Sequence, residues 1–154
     1  MKQVTLRGFL NGEFTRQQYF DFVCTKLLEQ GAPCVGDESN YCVYNGPNDT
    51  HCGIGWTVIG ESVLEEETIR SLLTGDLAKH DGECDDGWVL FPGMGEAVDR
   101  EVDFLHDLQR AHDDTTLYRP MSPFVPAFKD AARGVARSYD LNTLVLDAPK
   151  VGDE

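Results

Sequence analysis

Basic side chains are scarce in this chain of 154 residues: 13 Lys and Arg stand against 27 Asp and Glu, a formal net charge of −14. Nucleic acid and anionic membranes are held largely through Lys and Arg, so direct binding to either is not expected, and a basic partner protein fits the charge better. Simple solubility is the plainer reading of the same charge. No apolar run approaches the roughly 20 residues needed to cross a bilayer. The amino end is polar and has no signal-peptide core, so a soluble, cytoplasmic protein with reduced thiols is expected.

Other patterns are missing as well. The five cysteines (Cys24, Cys34, Cys42, Cys52 and Cys84) include no Cys-x-x-Cys pair, and a structural zinc site usually needs such pairs. His51 is beside Cys52, His80 and Cys84 flank an acidic loop, and His106 and His112 are six apart on one predicted helix and diverge. No metal and no cofactor are expected. Gly53-Ile54-Gly55 lacks the third glycine of a dinucleotide loop and the Gly-Lys-Ser/Thr of a P-loop, so nucleotide binding is set aside. There is no internal repeat and no linker that divides the chain.

What is present centres on Asn40 to Ser62. Tyr41 to Tyr44 reads as a short strand, Asn45-Gly46-Pro47-Asn48-Asp49 as a reversal, and the return brings Cys52 back towards Cys42. Gly53 to Ile59 is apolar but too short to separate strand from buried helix.

Four helices surround this element. Thr15 and Gln18 form a capping box ahead of Tyr19, Phe20, Val23, Cys24, Leu27 and Leu28 at helical spacing, with Gly31 and Pro33 as the stop. Cys24 falls on the apolar face and reads as a small buried hydrophobe. Ser62 and Glu65 open a second helix that ends at Gly75, and Asp76 to Gly87 is an acidic loop. A third helix runs from Glu96 to about His112, with Val98, Val102, Leu105, Leu108, Gln109 and His112 inward and Asp99, Asp103 and Asp107 as an acidic stripe. The fourth starts at Ser122-Pro123, buries Phe124, Phe128, Ala131, Ala132, Val135 and Tyr139, and carries Lys129, Arg133 and Arg137 as a basic stripe. The lead-in is expected to hold an extended piece at Val4 to Leu6 and a turn at Asn11-Gly12.

The fold class that follows is mainly α (α+β): about four helices packed around a short β-hairpin-like element. Residues 1–146 form one globular domain, and 147–154 a flexible acidic tail.

Three segments, Cys42-Val-Tyr44-Asn-Gly46-Pro47, Cys52-Gly-Ile-Gly55-Trp56 and Leu108-Gln109-Arg-Ala-His112-Asp113, give the chain its one family likeness. It resembles a group of small uncharacterised phage and prophage proteins with Cys-x-Tyr-x-Gly-Pro, Cys-x-x-Gly and Leu-Gln-x-x-His-Asp segments, over roughly Phe20 to Leu141. It departs from that group in the acidic loop and at Gly53, where the group tends to have alanine. The resemblance implies a mobile-element origin and no particular chemistry.

Taken with the acidity, it leads to an accessory protein that binds and inhibits a basic host protein or defence complex stoichiometrically, in the limit by mimicking a phosphate backbone. The surface expected to do so comprises Asp85, Asp86, Asp99, Asp103 and Asp107, with Tyr44 and Trp56 as further binding residues. One alternative is a hydrolase or transferase using Cys52 as nucleophile, His112 as base and Asp113 as orienting group. Another is a small-molecule binder around Tyr44, Trp56 and Trp88, for whose aromatics core packing is the plainer role.

Overall fold

The computed structural model describes residues 3–32, 50–58, 95–117 and 123–147, with the backbone alone at 95, 98, 99 and 113–117. These residues form five α-helices and one 3-10 helix: α1 Leu6–Leu10, α2 Arg16–Gln30, the 3-10 helix Gly55–Thr57, α3 Gly95–Leu117, α4 Phe124–Ser138 and α5 Leu144–Asp147. The mainly helical class is therefore observed.

α1 replaces the extended piece expected at Val4 to Leu6. Thr5 accepts the Gly8 N–H at 3.0 Å through its hydroxyl, which satisfies an otherwise orphaned donor and lets Leu6, Phe9 and Leu10 turn inward together. The turn at Asn11-Gly12 follows as expected, with Gly12 at φ 87°. α2 starts on the predicted capping box: Thr15 Oγ1 receives the Gln18 N–H, and Gln18 Oε1 receives the Thr15 N–H at 2.8 Å. It ends at Gly31, whose φ of 69° is a left-handed geometry that suits glycine. α4 stops differently. Asp140 takes φ 55°, and the Leu141 N–H reaches back to the Ala136 carbonyl at 2.9 Å, a Schellman-type closure with Asp in place of glycine.

α4 packs along α3, α1 against α3, and both α5 and the 3-10 helix against α2. The shared core includes Tyr19, Phe20, Phe22, Phe104 and Phe128, all nearly or fully buried. Phe9 and Tyr19 lie 4.6 Å apart by ring centroid, and Phe104 meets Tyr139 edge-on at 5.1 Å. On α3 the inward face also contains Glu101, Phe104 and Ala111, which the sequence reading did not place there. α5 buries Leu146 and leaves Leu144 exposed. Asp147, assigned to the tail from sequence, closes this helix.

The hairpin-like element needs correcting. Its first strand and reversal, 41–49, lie outside the described residues, as do the Ser62–Gly75 helix, the 76–87 loop and Ser122. In the described return segment, 50–58, His51 is a single bridge residue followed by a turn and a 3-10 helix, and no strand occurs among the described residues. Local bonds explain the difference. Cys52 Sγ accepts the Gly55 N–H at 3.3 Å, and the Thr57 hydroxyl donates to the Ile54 carbonyl at 2.7 Å, which closes the backbone on itself.

Glutamine side chains hold this segment in place. Gln30 donates to the His51 carbonyl at 3.1 Å and accepts the His51 N–H at 2.9 Å, gripping the backbone of one residue on both sides. Gln109 Oε1 accepts the Ile54 N–H at 3.3 Å, and Gln3 donates to the Trp56 carbonyl at 3.1 Å. Gln17 repeats the two-way grip on Asn142, at 3.2 and 2.9 Å, fixing the α4–α5 connection to the start of α2.

Candidate functional site

Cys52 heads the 3-10 helix on the glutamine-held segment and is fully buried. Its sulfur receives the Gly55 N–H, so it acts there as a cap on the turn. The Tyr19 hydroxyl bonds Thr57 Oγ1 at 2.8 Å. Burial pushes the Tyr19 phenol far above its ordinary value, opposed by the Thr57 bond and helped by the nearby Cys52. Across this interior, Gln109 reaches Ile54, and His112 lies one turn further along α3, fully buried and edge-on to Phe124 at 6.0 Å.

A nucleophile and its base must meet a substrate. Cys52 and His112 are both completely enclosed here. The Asp113 side chain lies outside the described residues. Cys24 is buried as expected, and desolvation, with a smaller push from Asp21, raises its thiol well above the ordinary range. No group of three or more His, Cys, Asp or Glu that could hold a metal ion occurs among the described residues.

The acidic stripe divides. Asp103 is exposed on α3, Asp107 is half-buried, and the Asp99 side chain lies outside the described residues. Asp107 accepts the Tyr139 hydroxyl at 2.7 Å. Burial, that bond and the charges of Asp107 and Asp103 raise the Tyr139 phenol strongly, while Arg16 pulls it down. Arg110 is exposed on the same edge of α3. Asp85, Asp86, Tyr44 and Trp88 lie outside the described residues.

Trp56 is half-buried, with His51 edge-on at 4.5 Å and the Lys26 ammonium 5.4 Å from its ring centroid. Its indole N–H is buried without a hydrogen-bond partner among the described residues. The basic stripe on α4 pairs at Arg133 with Asp130 at 3.5 Å and with Asp147 at 3.1 Å. Among the described residues, the partners of Arg133 are thus on α4 itself and α5.

Residues that the sequence reading passed over shape the α3 surface. Arg16 bonds the buried Glu101 at 2.7 Å and lies over the Phe104 and Tyr139 rings at 5.8 and 5.4 Å. These partners are far apart in sequence, and no local pattern joins them. Gly134 had a local signal, as a glycine inside an otherwise regular helical pattern.

No helix among the described residues is long and apolar enough to cross a membrane. Comparison with known protein families, curated proteins and solved structures gives no match to this chain.

Proposed function

We propose that the protein is a non-enzymatic accessory protein of phage type that binds a basic partner stoichiometrically and inhibits it, the partner being a host protein or defence complex. The observation that carries this reading is the uneven placement of charge. In the helical framework several cations are engaged within the fold: Arg16 with Glu101, Arg133 with Asp130 and Asp147, and Lys26 over Phe22 and Trp56. The surplus of negative charge falls elsewhere. In the sequence, Glu61, Glu65, Glu66, Glu67, Asp76, Asp81, Glu83, Asp85 and Asp86 are accompanied only by the cationic Arg70 and Lys79 in the stretch that leads to α3, and α3 adds the exposed Asp103.

Such a concentration speeds encounter with a positive surface and selects against negative ones. The Cys52/His112 enzyme is the weaker reading, because both side chains are enclosed. The test is capture of a basic host protein that weakens as salt rises from about 0.1 M to about 1 M, which shortens the Debye length from ~10 Å to ~3 Å. Neutralising Glu83, Asp85 and Asp86, or Asp99 and Asp103, is expected to weaken capture by at least tenfold. Capture indifferent to salt and to both sets of changes overturns the proposal.

A further inference from the structure

The seam between α3 and α4 opens into a groove of about 290 Å³, with Asp107, Arg110 and the exposed Ser138 on its rim and Ala111, Ala131, Gly134 and Val135 within it. Ligand sites run upward from about 300 Å³, so this groove is at the lower limit and has room only for a very small molecule. Two features of the groove have no structural explanation among the described residues.

The first is Gly134, in the last third of α4. Its φ is not positive, and a Cβ built there meets nothing within 4 Å. Neither backbone geometry nor close packing calls for glycine, although glycine inside a helix costs about 1 kcal/mol relative to alanine. What the missing side chain provides is depth.

The second is the rim. Asp107 and Arg110 have opposite charge and sit about one turn apart, where such residues commonly pair. Here they make no ion pair with each other. The hydrogen bond to Asp107 comes from the Tyr139 hydroxyl, which fixes the carboxylate and leaves its other oxygen available. The ion pairs among the described residues join Arg16, Arg100 and Arg133 to carboxylates and do not include Arg110.

The geometry points to a binding site for a small zwitterion with a compact aliphatic side chain, of the class of free branched-chain amino acids. The ammonium pairs with Asp107, the carboxylate with Arg110, and the side chain covers Ala131 and Gly134. A purely cationic ligand would bring like charge towards Arg110, and a purely anionic one towards Asp107; only a ligand carrying both signs satisfies the rim. This inference is separate from the proposed docking of a basic protein, and either can fail without the other.

The test is titration of the full chain with L-leucine, followed by backbone amide NMR. Saturable shifts at Ala131 and Gly134 are expected in the millimolar range, with 4-methylpentanoate and isopentylamine each binding at least about tenfold more weakly, a difference of about 1.4 kcal/mol. Arg110→Gln is expected to weaken leucine about tenfold and leave the spectrum elsewhere unchanged. Gly134→Leu fills the groove and abolishes the shifts; if that variant does not fold, Arg110→Gln decides. Absence of saturable shifts up to about 50 mM leucine, well beyond a millimolar dissociation constant, overturns the inference. So does a single-charge analogue that binds as well as leucine, or an Arg110→Gln protein that binds unchanged.

Discussion

The two sides of α3 treat polar groups in opposite ways. On the core side, Glu101 is held by Arg16 and Gln109 by the Ile54 N–H, among the rings and aliphatic chains of Phe104, Leu105 and Leu108. Polar groups there serve to fix one backbone path. On the groove side, Asp103 and Arg110 project from the same helix into open space, and the neighbouring stretch of α4 is lined with small residues. Burial without a partner is costly and exposure is cheap, so the closed side reads as architecture and the open side as the place to look for a ligand.

The largest expected effect is on the core side. Phe104→Ala removes a fully buried ring that touches Phe9, Tyr19 and Tyr139, and should cost about 3–5 kcal/mol in chemical denaturation. A loss below about 1 kcal/mol would erase the distinction between the two sides. Arg16→Ala leaves Glu101 buried with only the longer contact from Arg100, at 3.4 Å, and strips cover from two rings. Because Arg16 is itself partly exposed, about 2 kcal/mol is expected, less than the 3–5 typical when a fully buried pair is broken.

Tyr19→Phe should cost about 1 kcal/mol through the lost bond to Thr57, and it carries a sign in pH. The folded phenol titrates above its unfolded value because burial disfavours the phenolate. The unfolded chain therefore loses its proton first, and stability falls as pH rises past about 10, the ordinary tyrosine value. The variant should show a shallower alkaline decline in thermal melts; an unchanged slope would mean that Tyr19 is not held protonated. Thr15→Ala, which removes the α2 cap, should cost about 1 kcal/mol in denaturant.

The smallest effect has the opposite sign and belongs to the groove side. Gly134→Ala adds a side chain into open space and should raise stability by about 0.5–1 kcal/mol. Destabilisation in denaturant would show that Gly134 is needed for packing, and the groove would join the core side of the comparison.

The elements with strong local chemistry were legible in the sequence. The α2 capping box, its left-handed stop at Gly31 and most of its buried face appear where pattern placed them, with Phe22 buried in addition and Leu28 only partly covered, because caps and helical spacing act within a few residues. α3 was legible in position, although it runs on to Leu117 and turns Phe104 and Glu101 inward. The centre was misread in its described part. Its apolar run was too short to separate strand from buried helix, and the hairpin-like arrangement expected of it gives way to a 3-10 turn held by glutamines from elsewhere in the chain. Nothing in the local pattern of 50–58 announces a partner at Gln109. The acidic stripe was legible as spacing, but the bond from Tyr139 to Asp107 was not.

By itself the sequence determined the helical class, the ends of α2 and the excess of negative charge, since caps, periodicity and composition act locally or simply sum. Tertiary structure decided which polar side chains are used up inside and which stay open. That allocation depends on contacts between residues distant in the chain, such as Arg16 with Glu101 and Gln30 with His51, and on the space that a missing side chain leaves between two packed helices.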